Sequence, residues 1–145
     1  MVDDLYQDII LDHSKHPRNL HSMEDATGRA KGFNPLCGDK LDLFLKMEGD
    51  VVKDVSFVGS GCAISTASAS LMTESLKGKT REEALKLLEK FHDLLTTDSP
   101  VTSELGKLVV FCGVRDYPAR VKCATLAWHT LKSALTDAGE TASTE

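Results

Sequence analysis

Three cysteines and one aspartate carry the chemistry open to this chain. Cys37 and Asp39 stand two residues apart in Asn34-Pro35-Leu36-Cys37-Gly38-Asp39, Cys62 closes Gly59-Ser60-Gly61-Cys62, and Cys123 closes Ala119-Arg120-Val121-Lys122-Cys123. Three thiolates and a carboxylate suit tetrahedral Zn²⁺, the oxygen being the hardest and most replaceable ligand. The same donors suit an iron–sulfur cluster, which thiolates hold and in which one non-cysteine ligand is tolerated. Such a set leaves excess negative charge, and Lys40, Arg120 and Lys122 lie close enough in sequence to offset it.

A blander reading stands beside this one. Free cysteine often behaves as a small buried hydrophobe, and none of these spacings is a CxxC pair, so spacing alone leaves metal binding and packing both open. Cys112 follows the apolar run Leu108-Val109-Val110-Phe111 and reads as packing. Ser65, Thr66, Ser68 and Ser70 read as close helix packing, because no base stands beside them. His13 and His16 read as surface or helix-terminal residues.

The elements that must position these groups follow from periodicity. Asp4 to His16 predicts a helix with Leu5, Ile9 and Ile10 as its apolar stripe, stopped by Pro17. Leu20 to Gly32 reads as loop, with an edge strand near Arg29 to Phe33. From Lys40 the period becomes two: Leu41, Leu43, Leu45 and Met47 alternate with Asp42, Phe44, Lys46 and Glu48. Glu48-Gly49-Asp50 is a turn and Val51 to Val58 a second strand, so the pair predicts a hairpin. The hairpin returns the chain, which should bring Cys37 and Cys62 to the same sheet edge. It does not by itself bring in Cys123.

Cys62 to Leu76 predicts a helix stopped at Lys77-Gly78. A thiol at a helix N-terminus faces the positive end of the macrodipole, which favours thiolate, the metal-binding and nucleophilic form. Thr80-Arg81-Glu82-Glu83 has capping-box spacing and opens a helix with Ala84, Leu85, Leu88, Phe91 and Leu95 as its stripe. Leu105 to Phe111 predicts a short helix closed by Gly113. Pro118 suits the first turn of a last helix running through Cys123 to about Ala138. The fold class expected is α+β: a small antiparallel β-sheet of about three strands, with helices packed on one face and around one end.

The bulk properties bound the rest. The chain has 145 residues, 41% hydrophobic and 27% charged, with a net charge of −5. One domain over residues 1–138 is expected, with residues 139–145 a disordered tail. The acidic balance and lack of a basic run argue against nucleic acid. The absence of a long apolar stretch or a basic-then-apolar leader argues against membrane and secretion, so the expected location is a reducing cytoplasm.

At these residues the sequence strongly resembles the U-type iron–sulfur cluster assembly family, and within it the SufU branch. The resemblance is carried by Leu5-Tyr6-Gln7-Asp8-Ile9-Ile10-Leu11-Asp12-His13 with Pro17-Arg18-Asn19, and by Asn34 to Asp39. It continues in Gly59-Ser60-Gly61-Cys62-Ala63-Ile64-Ser65 with Ala67 to Thr73, and in Pro118 to Trp128. These stretches fall in family order and span nearly the whole chain up to the tail. The resemblance implies that Cys37, Asp39, Cys62 and Cys123 are one ligand set. IscU-like scaffolds carry a histidine just before the last cysteine and an upstream Leu-Pro-Pro-Val-Lys. Here those positions hold Lys122 and Tyr117-Pro118-Ala119-Arg120-Val121-Lys122. The long segment from Cys62 to Cys123, with its extra helix, is also SufU-like.

The resemblance therefore implies a zinc-bound sulfur acceptor, a sulfurtransferase working with a SufS-like cysteine desulfurase. In that role Cys37 is the expected acceptor, Asp39 the exchangeable ligand, and Cys62 and Cys123 the residues that keep Zn²⁺. Arg120 is expected to serve docking or charge balance. Two alternatives stay open: a scaffold that assembles a [2Fe–2S] cluster on the same cysteines and passes it to downstream assembly factors or apoproteins, and a purely structural zinc domain.

Overall fold

The computed structural model describes residues 2–35, 38–96, 103–114, 117–136 and 141–143. Helix α1 (Val2–Lys15) leads into strands β1 (Gly28–Asn34), β2 (Asp39–Glu48) and β3 (Val51–Ser60). Helices α2 (Ala63–Leu76) and α3 (Arg81–Thr96) follow, then a 3₁₀ segment (Ser103–Val114) kinked at Gly106, helix α4 (Pro118–Thr136) and a short β4 (Thr141–Ser143).

The period-two stretch after Asp39 builds the centre of the sheet. Strands β1, β2 and β3 form an antiparallel meander, and the α+β class read from the sequence is what the chain adopts. The β2–β3 connection is Gly49-Asp50, with Gly49 at φ 62°, a region glycine enters without steric cost. The inward row of β2 is Asp39, Leu41, Leu43 and Leu45, all buried, and that of β1 is Gly28, Ala30, Gly32 and Asn34. Two inward apolar rows thus end in polar residues at the same sheet end, where Asn34 pairs with Asp39.

Helices α2 and α4 cover that face. Gly32 is required there, since a Cβ at this position would collide with the Thr130 hydroxyl and press within 3.1 Å of Leu126 Cδ1. Ser68 locks α2 to α4 by donating to the Ala124 carbonyl while accepting from Trp128 Nε1 at 3.1 Å. Phe91 of α3 stacks on Trp128 with centroids 4.6 Å apart and meets Phe111 edge-on at 5.7 Å, so α3 and the 3₁₀ segment close the core. The capping box at Thr80 forms in both directions: Glu83 N–H donates to Thr80 Oγ1 at 3.1 Å and Thr80 N–H to Glu83 Oε1 at 3.0 Å. Pro118 occupies the first turn of α4 as expected.

Two expectations need correction. Strand β1 does not lie at the sheet edge, because β4 pairs with it in parallel at Lys31–Phe33. Thr141–Ser143 of the tail lie against it, their backbone meeting the N–H and C=O groups that an edge strand leaves open. His13 is not a surface residue. It is 2% exposed, with Nδ1 2.7 Å from Ser70 Oγ, which also accepts the Arg18 N–H at 2.9 Å. Among the described residues no helix is long and apolar enough to cross a membrane.

Candidate metal centre

The sheet register positions the first pair of donors. Lys40 pairs with Ser60, so Asp39 lies beside the turn through Gly61 into α2. The Cys62 N–H donates to Asp39 Oδ1 at 2.9 Å, and Cys62 Sγ lies 4.0 Å from Asp39 Oδ2. Gly61 makes this approach possible, because a Cβ there would strike Ser65 Oγ and come within 2.8 Å of Asp39 Oδ1. Cys62 has extended backbone as the N-cap of α2, and its sulfur accepts the Ser65 N–H at 3.4 Å. Its thiol therefore faces the open N–H groups of a helix start.

Helix α4 brings in the third donor. Cys123 lies in its second turn, 3% exposed, on the side turned to α2 and β1. The ligand atoms of Asp39, Cys62 and Cys123 all fall within 4.8 Å of one another. Asn34 joins them: its Nδ2 donates to Asp39 Oδ2 at 3.3 Å and to Cys123 Sγ at 3.6 Å. Asn34 and Asp39 are 0% and 1% exposed, so the carboxylate and the amide that orients it sit beneath the surface. Asn34 was given no role from sequence. The signal was there, because extending the β1 alternation by one residue places Asn34 on the inward row.

Cys37, the remaining expected ligand, lies outside the described residues. Its loop is bracketed by the bond from Gly38 N–H to the Asn34 carbonyl at 2.8 Å, with Gly38 at φ 74°. The Cys112 side chain is likewise outside them. Arg120 is exposed, with its guanidinium 4.7 Å from the centre of the Tyr117 ring. Lys40 is exposed and Lys122 partly so. The serines of α2 serve packing and helix contacts: Ser68 joins α4, Ser70 holds His13, and Ser65 Oγ donates to the Cys62 carbonyl at 3.3 Å.

The donor set fits a borderline-soft divalent ion. With bonds of about 2.3 Å to sulfur and about 2.0 Å to oxygen, tetrahedral ligand atoms stand roughly 3.5–3.8 Å apart. The observed spacing is within side-chain adjustment of that. Two sulfurs and one oxygen select zinc or an iron–sulfur unit over calcium or magnesium, which take oxygen ligands. Asp39 is held by two hydrogen-bond donors in the way that outer partners orient metal-binding carboxylates.

A three-stranded meander backed by helices, with two thiols and a carboxylate gathered where its inward rows end, defines an α+β protein with a candidate thiol–carboxylate metal site. This chain belongs to the NifU-like N-terminal domain family, which matches residues 5–124. It is 43% identical to the zinc-dependent sulfurtransferase SufU of Bacillus subtilis, over 90% of this chain and 89% of that protein. It is 41% identical to the iron–sulfur cluster assembly scaffold protein IscU of Streptococcus pyogenes, over 92% of this chain and 84% of that one. Among solved structures it resembles FiSufU of Fervidobacterium islandicum, with a TM-score of 0.85 and 38% identity over 88% of this chain and 94% of that chain.

Proposed function

We propose that this protein works in iron–sulfur cluster assembly as a zinc-bound sulfur acceptor, a sulfurtransferase partnered with a cysteine desulfurase in the cytoplasm. The observation that carries the reading is the convergence of Asp39, Cys62 and Cys123, two thiols joined by one carboxylate. A carboxylate is the most easily exchanged of these ligands. Lys122 supports acceptor over scaffold, because it stands where the resemblance places a histidine in scaffolds.

Zinc bound there would stabilise the thiolate forms of the cysteines. Cys62 and Cys123, held by the α2 start and by α4, would be the residues that retain it. Asp39 would be the ligand exchanged when the desulfurase docks, and Cys37, in the loop beside Gly38, would be the thiol presented to it. The Cys37 thiolate attacks the terminal sulfur of the desulfurase persulfide. The sulfur–sulfur bond of the donor breaks, the desulfurase cysteine leaves as thiolate, and the persulfide now rests on Cys37. Arg120, exposed at the start of α4, serves docking or offsets charge beside the centre.

The test is single replacement followed by turnover with the purified desulfurase. Cys37→Ala should abolish both sulfur acceptance and stimulation of cysteine turnover. Wild-type behaviour in that variant would remove Cys37 from the acceptor role.

The kinship to an IscU scaffold favours a second reading, in which the same ligands assemble a [2Fe–2S] cluster for downstream apoproteins. Metal content and the visible spectrum of protein purified without added metal separate the two. Stoichiometric zinc without colour favours the acceptor; colour with acid-labile sulfide that passes to an apoprotein favours the scaffold.

A further inference from the structure

Strands β1 and β2 run antiparallel, and their register sets Asn34 opposite Asp39 at the end where both inward rows stop. Asn34 is 0% exposed. Its Nδ2 donates to Asp39 Oδ2 at 3.3 Å and to Sγ of Cys123, 89 positions away on α4, at 3.6 Å. One nitrogen therefore ties a candidate ligand of the sheet to a candidate ligand of a helix. Asp39 Oδ1 takes a second donor, the Cys62 N–H at 2.9 Å. The carboxylate is 1% exposed and forms no ion pair among the described residues, so hydrogen bonds are what offset its burial.

Groups that hold a divalent ion as anions repel one another until the ion arrives. A neutral N–H donor shared by two of them offsets that repulsion without adding a cation that would compete with the metal. A carboxylate has about four acceptor sites, so two hydrogen bonds leave room for a metal on the same group. We infer that Asn34 is the positioning residue of the metal centre, and that its amide keeps Asp39 and Cys123 at ligand spacing in the metal-free protein. The inference rests on reading Asp39, Cys62 and Cys123 as a metal site. Ligands already in place lose less freedom when the metal binds, and the gain in affinity arises there. Asn34 acts chiefly through Asp39, because that contact is the shorter one and oxygen is the better acceptor.

Zinc affinity, measured by chelator competition on wild type, Asn34→Leu, Asp39→Ala and the double variant, tests this. Asn34→Leu keeps much of the side-chain volume but has no N–H to give, and it should bind zinc about tenfold or more weakly than wild type. In the Asp39→Ala background the same change should cost about threefold or less, since the carboxylate it positions is gone. Equal losses in the two backgrounds overturn the inference, because a substitution that merely loosens the fold acts whether or not Asp39 is there. Asn34→Ala, which leaves a void instead of an apolar side chain, should show the same pattern and serves if the leucine variant does not fold. Cobalt, which takes the same tetrahedral ligands and is coloured, gives a second readout. The visible bands of the cobalt-loaded Asn34 variant should shift, whereas those of Phe91→Leu, destabilised in the core away from the site, should match wild type. Wild-type bands in the Asn34 variant also overturn the inference. Wild-type protein that takes up neither zinc nor cobalt overturns the metal-site reading, and this inference with it.

Discussion

The backbone N–H of Cys62 donates to Oδ1 of Asp39 at 2.9 Å, across a junction set by the pairing of Lys40 with Ser60. One hydrogen bond thus ties the last inward residue of β2 to the N-cap of α2, and it fixes the carboxylate that faces both thiols. A charged acceptor makes this bond stronger than a neutral one would be. Asp39→Asn keeps the shape and the oxygen acceptor but removes the charge. The variant should fold as wild type and bind zinc at least tenfold more weakly, a difference of about 1.4 kcal/mol. Competition against a chromophoric chelator measures it, and unchanged affinity would remove Asp39 from the ligand set.

Two glycines flank the centre and should respond differently to the same added methyl group. At Gly61 a Cβ collides with Ser65 Oγ and crowds Asp39 Oδ1, so the carboxylate or the α2 start must move. At Gly38 nothing among the described residues lies within 4 Å of the added atom, and the penalty there is the backbone at φ 74°. Gly61→Ala should therefore lower both stability, by about 1–3 kcal/mol, and zinc affinity. Gly38→Ala should cost about 1–2 kcal/mol of stability, with a smaller change at the metal. Urea unfolding of the metal-free proteins, paired with zinc titration, separates the two effects.

Local rules made much of this architecture legible. The alternation from Leu41 to Met47, the Gly49 turn and the Thr80–Glu83 box are each complete within a few residues, and each formed where it was read. Hairpin topology pointed to Cys37 and Cys62 at one sheet edge; Cys37 lies outside the described residues, and Asp39 at the start of β2 is the residue found beside Cys62. The place of Cys123 was not legible in this way, since it depends on α4 packing across β1 and α2, a contact with no local sequence signal. His13 stands in the last turn of α1 as read, but its burial was missed for the same reason: a histidine near a helix end looks exposed until a distant Ser70 and Glu74 cover it. β4 was missed because the small residues Thr141, Ala142 and Ser143 carry no strand periodicity, and the open side of β1 recruits them.

Ser56 is the reverse case, a polar side chain whose burial brings no partner. It lies on β3 opposite Phe44, fully buried, and its Oγ has no hydrogen-bond partner among the described residues. A buried hydroxyl without a partner costs about 1–3 kcal/mol of desolvation. Ser56→Ala removes that oxygen and leaves only a small void. The variant should be more stable than wild type by about 1 kcal/mol, near the low end of that cost. A raised urea midpoint with an unchanged slope would show it; a lowered midpoint would mean that the hydroxyl has a partner in solution.

His13 supplies the last prediction, a pH dependence. Its ring is buried between α1 and α2, with Nε2 3.6 Å from Glu74 Oε1. Burial, followed by the nearby positive charge of Arg18, holds its imidazole below the ordinary histidine value. Lys107 acts in the same direction, while Glu74 and Asp12 pull the other way. His129, partly buried on α4 near His92 and Lys132, is lowered chiefly by burial as well. A base whose folded value lies below its unfolded value binds more protons when unfolded. Stability is therefore full above the unfolded value of about 6.5 and falls as pH drops through it. Each such group adds a slope of up to about 1.4 kcal/mol per pH unit until its folded value is reached. Urea unfolding at pH 7.5, 6.5 and 5.5 should show this loss, well above the range where the lowered carboxyls of Asp12, Asp25 and Glu83 titrate. His13→Gln, which cannot take up a proton, should flatten part of the slope and leave the His129 share. An unchanged slope in that variant would place the proton uptake elsewhere.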